Sequence, residues 1–348
     1  MGQNNLPYER DKLVDCLKGY ACFLVVFGHV IMGIRKAGID VPFFSEYIEK
    51  FIWTFHVPLF MFLSGYVYRL TGEWKGKGSR IKFIGHKLLN LGIPYFVFST
   101  VYIGINSFVP GVNNQAKLSD ILTLWYKTPT SQYWFLYALF VLFVYWTILS
   151  IFLSNWQITV ALYVVGYILI VFDISLGTLG FGIPYAISFG IGTTVQSLVI
   201  DKWDLKKKLI LIILQVIIVG LFIWTKMTGK NIIDDVEEIL GISASIALIS
   251  ILIKSNIIKK VLLFINTYSF PIYLLHTIFT AGLRIALNKI GIKYYWIHVL
   301  GGMLFGIAIP VICGKISNKI IIFDFFFYPS RSIKRLKREK ERENRCVK

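Results

Sequence analysis

The chain has 348 residues, of which 56% are hydrophobic and 16% charged, against about 25% charged in a soluble domain, and its mean hydropathy is +0.65. These values exclude a soluble globular protein and predict an all-α, polytopic integral membrane protein. The net charge of +18 does not point to nucleic acid, because the basic residues collect between apolar segments and in the tail, and no nucleic-acid-binding motif is present.

Ten spans are predicted, near 13–34, 51–70, 88–109, 133–154, 157–173, 180–200, 209–227, 236–254, 261–286 and 295–327. The first is long, and its flank IRKAGIDVP offers no small-residue cleavage site, so it is expected to stay as a membrane helix. The fourth and fifth meet at Asn155-Trp156, a tight hairpin. The last is too long for one straight span. It is expected to tilt, to kink at Pro310, or to end in an interfacial aromatic piece, FDFFFYP.

Charge orients these spans. With the N-terminus inside, the second loop carries Arg69, Lys75, Lys77, Arg80, Lys82 and Lys87 against Glu73. The sixth carries Lys202, Lys206, Lys207 and Lys208, and the eighth Lys254, Lys259 and Lys260. A basic tail, 331–348, holds nine basic residues and is expected on the same side, against anionic lipid. The other face has an acidic cluster at Asp234, Asp235, Glu237 and Glu238. Arg35, Lys36, Lys226, Lys230, Arg284, Lys289 and Lys293 run against the rule. The balance places both termini in the cytoplasm.

The first span contains the stretch DCLKGYACFLVVFGH, Asp15 to His29. An unbroken helix sets Lys18 and His29 about 16 Å apart, half the hydrocarbon thickness, so one helix carries a cation near the surface and an imidazole at depth. Ionisable groups at depth are costly and mark function; the plainer reading is a histidine bonded to a neighbouring helix and a snorkelling lysine. As chemistry, His29 suits a general base acting on a hydroxyl. Asp15, one turn from Lys18, reads as an ion-pair partner.

In FIWTFHVPLFMFLSGY, Pro58 is expected to push Val57 out of helical geometry and to sit in the first turns of its helix, leaving His56 at the span's end. Ser64-Gly65 permits close helix contact. The run KGKGSRIKFIGHKLLNLGIP brings Arg80, His86 and Lys87 to the third span, where they suit phosphate or merely set topology. Trp134, in SQYWFLYALF, fits an interfacial belt as well as a substrate contact. In NTYSFPIYLLH, Tyr273 and His276 share a face, for packing or for chemistry. The four cysteines, Cys16, Cys22, Cys313 and Cys346, have no metal-ligand spacing and form no disulfide framework, and no metal site is expected. GxSxG, HExxH and Walker-type loops are absent.

The ordered set of these pieces resembles the membrane-bound acyltransferase-3 family. It comprises Lys18 and His29 eleven apart, Phe55 to Tyr66, the basic approach to Pro94-Tyr95, YWFLYAL and IYLLH, and it spans nearly the whole chain. The resemblance implies a transmembrane acyltransferase domain over 1–330 with a cytoplasmic tail at 331–348, in a bacterial plasma membrane and without a fused extracellular domain. It implies O-acylation: an acetyl group passes from cytoplasmic acetyl-CoA to a hydroxyl of a surface or lipid-linked polysaccharide. His29 would be the catalytic histidine, Lys18, Arg80 and Lys87 would bind the donor, and His56, Trp134 and His276 would meet substrate. The family often has two arginines three apart near the third helix, where this chain has Lys87 and Asn90: Lys87 keeps the charge without the guanidinium fork, and Asn90 has no charge. Two rival readings are a glycan-precursor transporter, against which no paired broken helices are seen, and a non-catalytic scaffold, against which stands the cost of ionisable groups at depth.

Overall fold

A computed structural model describes residues 11–72, 77–127, 129–227 and 234–346, with side chains at 77, 222–227, 234–236, 343, 345 and 346 outside the description. Glu73, Lys75, Lys230 and Lys348, and the side chains of Lys77, Lys226, Asp234, Asp235 and Cys346, therefore lie outside the described residues.

Among the described residues all regular structure is helical. Helix α1, Lys12–Lys36, begins where the Asp11 carboxylate accepts the Leu13 N–H at 2.9 Å and ends on Arg35 and Lys36, which suit the negative end of the helix dipole. It is the buried centre of the bundle, packed by α2 (Phe43–Thr71), α9 (Asp234–Leu252), α10 (Asn256–Thr267), α11 (Ser269–Lys289) and α12 (Tyr295–Ser317). At the far end of α1 the Arg35 fork grips Glu49 of α2, at 3.0 and 2.9 Å.

Helix α2 corrects the reading of Pro58. The helix starts at Phe43, about four turns earlier, and runs through Pro58 without ending. With turns on both sides, the proline removes one backbone bond rather than setting a boundary, and His56 falls mid-helix instead of at an end. Gly65 does allow the expected close approach, to α7 (Ala186–Thr194): a Cβ there would strike the Phe189 carbonyl, and one on Gly192 would strike that of Phe62.

Among the described residues, six helical stretches have the length and apolarity to cross a membrane: α1, α2, Gly78–Phe108, Ser131–Leu149, α11 and α12. The third contains α3 (Lys77–Lys87), a wide five-residue turn of π geometry at Leu88–Gly92, and α4 (Ile93–Phe108). The fourth contains α5 (Trp134–Leu149), and the fifth predicted span is a shorter apolar helix, α6 (Asn155–Val171), capped by Ser154. The expected span at 180–200 is broken into a tight 3₁₀ stretch, Gly177–Tyr185, and α7, because Gly177, Gly180, Gly182 and Pro184 crowd its first half. Helix α8 (Leu205–Met227) and α9 occupy the seventh and eighth predicted positions. The ninth span divides at Tyr268 into α10 and α11. The tenth ends at Ser317 and is followed by a short aromatic helix, α13 (Ile321–Phe327), while Pro310 is absorbed within α12.

The tail is helical, as α14 (Pro329–Cys346). Asp324 of α13 is buried and holds it through an ion pair with Arg331 and a 2.7 Å bond from the Ser332 hydroxyl. Tyr328 lies beneath the Arg331 guanidinium, and burial pushes its phenol up to about 12.

Candidate functional site

Three imidazoles meet mid-bundle. The His29 ring lies 5.0 Å from that of His276 and 5.2 Å, edge-on, from Trp53, whose other neighbour, at 4.8 Å, is His56. Backbone geometry fixes two of the rings. The His56 Nδ1–H donates to the Ile52 carbonyl at 2.8 Å, and the His276 Nδ1–H is shared by the carbonyls of Ile272 and Tyr273, both at 2.9 Å. Each of these neutral rings then carries its lone pair on Nε2. On His276 that atom is buried, with no hydrogen-bond partner among the described residues. His29 is thus flanked by a preset acceptor, and among the described residues no hydrogen bond ties its own nitrogens away from a substrate hydroxyl.

His29 also lines two cavities. One, of about 200 Å³, is mostly apolar, walled by Val25, Phe60, Leu91 and Leu139 with Gln132 and Tyr273 as polar points. The other, of about 290 Å³, runs from His29 along Gly33 and Lys36 of α1 and Thr277 to Arg284 of α11. Along α1, the Gly78–Phe108 stretch and α11 alike, the first cavity touches earlier residues and the second later ones. The cavities therefore lie on opposite sides of the histidine along the bundle axis.

The turn Ser131–Tyr133 separates them at the wall. Tyr133 donates to the Leu274 carbonyl at 2.8 Å, the Gln132 amide to Thr277 at 2.7 Å, and the Tyr273 hydroxyl to the Gln132 carbonyl at 2.5 Å. These bonds hold Ser131 at φ 50°, a left-handed conformation that costs a non-glycine residue about 1–3 kcal/mol. Trp134 follows, lining the smaller cavity and also an open groove of about 1110 Å³, where it stacks on Tyr185 at 5.4 Å.

At the end of the smaller cavity lies a basic cleft of about 370 Å³, formed by Ser79, Lys82, His86, Lys87 and Asn90 with Ser330 and Lys334 of α14. Asn90 lines the cleft and the next residue, Leu91, the cavity, so the π turn joins them. Such turns recur at functional sites. Lys87 reaches over the rings of Phe143 and Phe83, at 4.1 and 5.0 Å. Asn90, uncharged where the family often has arginine, serves as a joint: its amide donates to the His86 carbonyl at 2.8 Å and its oxygen accepts the Ser330 N–H at 3.1 Å.

The structure thus brings His29, His56 and Trp134 to one cavity, sets His276 against His29 behind it, and brings Lys87 to the nearby cleft. Lys18 is half-buried on α1 and lines neither cavity that holds His29; Arg80, also half-buried, is not in the cleft wall. Sequence reasoning missed Trp53, Gln132 and Arg284. Trp53 sits one turn before His56, a signal open to helical spacing, and Arg284 is one of the cations that break the positive-inside pattern.

Residues 11–315 match the family described as acyltransferase domain. The chain belongs to the acyltransferase-3 family. Two curated relatives are similar to part of it. Nodulation protein NolL of Mesorhizobium japonicum is 30% identical over 48% of this chain and 42% of its own length. Nodulation protein NolL of Sinorhizobium fredii is 30% identical over 44% and 40%. The chain spans less than half the length of these relatives. No solved structure gives a significant match. The family resemblance read from the ordered motifs is borne out.

Proposed function

We propose that the protein is a membrane O-acyltransferase that moves a short acyl group, acetyl, from cytoplasmic acetyl-CoA to a hydroxyl of a cell-surface or lipid-linked polysaccharide. The observation that carries the reading is the position of His29 between two cavities on opposite sides of the bundle centre. A donor and an acceptor can approach one imidazole from opposite directions, as transfer across a membrane requires.

The basic cleft supplies cations for the phosphates of CoA, with Lys82 and Lys87 as point charges. The cavity beyond it is mostly apolar and about 200 Å³, smaller than the roughly 300–1,000 Å³ of drug-sized sites. It fits an acyl group and the end of its arm, not a nucleotide. Lys18 and Arg80 stand nearer the same bundle end and add positive potential there. His29 takes the proton of the acceptor hydroxyl as its oxygen attacks the thioester carbonyl, the C–S bond breaks, and the CoA sulfur leaves with the thioester electron pair. His276, locked by two backbone carbonyls, orients His29, and His56 with Trp53 walls the acyl pocket. The Trp134–Tyr185 pair presents an apolar face where the acyl pocket meets the open groove, as a substrate contact. The domain, 1–330, acts in a bacterial plasma membrane with the tail, 331–348, against anionic lipid; rhizobial relatives support the bacterial setting.

His29 is tested by substitution at matched membrane levels. A positioned base contributes typically about 10²–10⁴-fold in rate, so His29→Ala and His29→Gln both lose acyl transfer by that order while still inserting. The readout is acetylated glycan by mass spectrometry together with CoA release. Substantial transfer by well-inserted His29→Ala removes the catalytic assignment.

A further inference from the structure

The second cavity, beyond His29, carries chemistry that acyl transfer to a neutral sugar does not require. Arg284 is only 8% exposed and lines this cavity, yet it has no ion pair or hydrogen bond among the described residues. Gly33 makes its place: a Cβ there would meet the Arg284 guanidinium. Gly33 lies one turn past His29 on α1, about 6 Å along the axis. Lys36, one turn further and exposed, lines the same wall, and the Asn113 amide closes the rim by donating to the Gly33 carbonyl at 3.1 Å. Among the described residues no carboxylate lines the cavity. Of the acids that follow α1 in the chain, Asp40 is exposed, Glu46 pairs with Lys50, and Glu49 is taken by Arg35.

An uncompensated guanidinium held in a membrane span is expensive, and such a group marks a ligand rather than stability. Topology does not account for it either, since Arg284 and Lys36 break the charge bias that orients the chain. We propose that this cavity binds an anionic group of the acceptor, a carboxylate or a phosphate carried near the hydroxyl to be acylated, with Arg284 as the fork and Lys36 as a second charge. The inference rests on the acyl-transfer reading and names the class of its acceptor. The basic cleft at the opposite end is already available to the donor phosphates, which leaves these two cations to the other substrate.

The test uses the full chain in phosphatidylcholine nanodiscs with acetyl-CoA and three acceptors: methyl glucoside, methyl glucuronoside and methyl glucoside 6-phosphate. The wild type is expected to show a KM at least about tenfold lower for a charged acceptor, the size of one charge-assisted hydrogen bond. Which charged acceptor is preferred distinguishes carboxylate from phosphate. Arg284→Gln collapses the charged-to-neutral KM ratio toward 1, Arg284→Lys recovers part of it, and Lys36→Gln, at an exposed position, lowers it to a smaller degree. Equal KM values for charged and neutral acceptors in the wild type overturn the proposal, as does an Arg284→Gln effect confined to the KM of acetyl-CoA. An Arg284 dependence that arises only when phosphatidylglycerol replaces phosphatidylcholine assigns the cavity to a lipid headgroup and also overturns it. If the wild type releases no His29-dependent CoA with any acceptor, it is the acyl-transfer reading that fails. Saturation-transfer NMR of methyl glucuronoside, wild type against Arg284→Gln, then decides the anion site alone: binding lost in the variant upholds it, and equal signal rejects it.

Discussion

Around His29, each side chain has a separable role. Trp53 packs at right angles against both His29 and His56, so it spaces the His29 ring from the backbone-anchored His56 ring. Trp53→Ala is expected to lower transfer at least about tenfold, a loss of about 1.4 kcal/mol of barrier lowering, with Trp53→Phe recovering part. His276 differs from His29 in that it lines neither cavity and has its Nδ1–H committed to the backbone, so on the proposed reading it positions His29 rather than meeting substrate. His276→Ala should therefore cost less than His29→Ala, and the two together no more than His29→Ala alone, because both act through one imidazole. Initial rates at matched protein decide this; additive losses would mean that His276 acts on substrate by itself. His29 and His276 were readable from the chain as membrane-embedded histidines. Their meeting was not, because 247 positions separate them and only the packing of α1 on α11 brings the rings to 5.0 Å.

Among the elements, α14 and the π turn make the clearest case of local signals needing a tertiary partner. The basic run before Pro94 marks the approach to the third span, but nothing in it shows that Asn90 would accept a hydrogen bond from Ser330, 240 residues away. The cleft exists only where the tail helix docks. Asn90→Ala and Asp324→Ala should each loosen that joint and raise the KM for acetyl-CoA severalfold, with smaller effect on kcat, and a donor titration on the purified variants reads it. Unchanged KM values would reduce the joint to packing. Long apolar helices such as α1 and α12 were legible because hydropathy alone defines them. The breaks were not: Pro58 suggests a boundary that α2 ignores, while Tyr268, with no breaker of its own, ends α10 three residues before Pro271. A proline marks strain, and the packing on either side decides whether the helix yields. Gly65→Ala tests the crossing of α2 on α7: overpacking there should cost about 1–3 kcal/mol and be seen as lost yield and lower thermal stability.

For the whole molecule, the proposed two-sided reaction has the ends of the bundle face different compartments. Single cysteines at Lys82, in the basic cleft, and Asn114, on the rim of the anion cavity, are both exposed positions. In a background lacking Cys16, Cys22, Cys313 and Cys346, an impermeant maleimide should label Lys82→Cys only from the cytoplasm and Asn114→Cys only from outside. The opposite result would invert the donor and acceptor sides. The same geometry has a cost for the cell. Where two water-accessible hollows approach from opposite faces, the insulating thickness of the membrane shrinks locally to the ring layer of His29, Trp53 and His276. On the proposed reading, those rings would be the electrical seal of the membrane at this point. In proteoliposomes holding an imposed pH gradient, Trp53→Gly should dissipate the gradient faster than the wild type, so the chemistry at this site is inseparable from the membrane's ability to hold a proton-motive force.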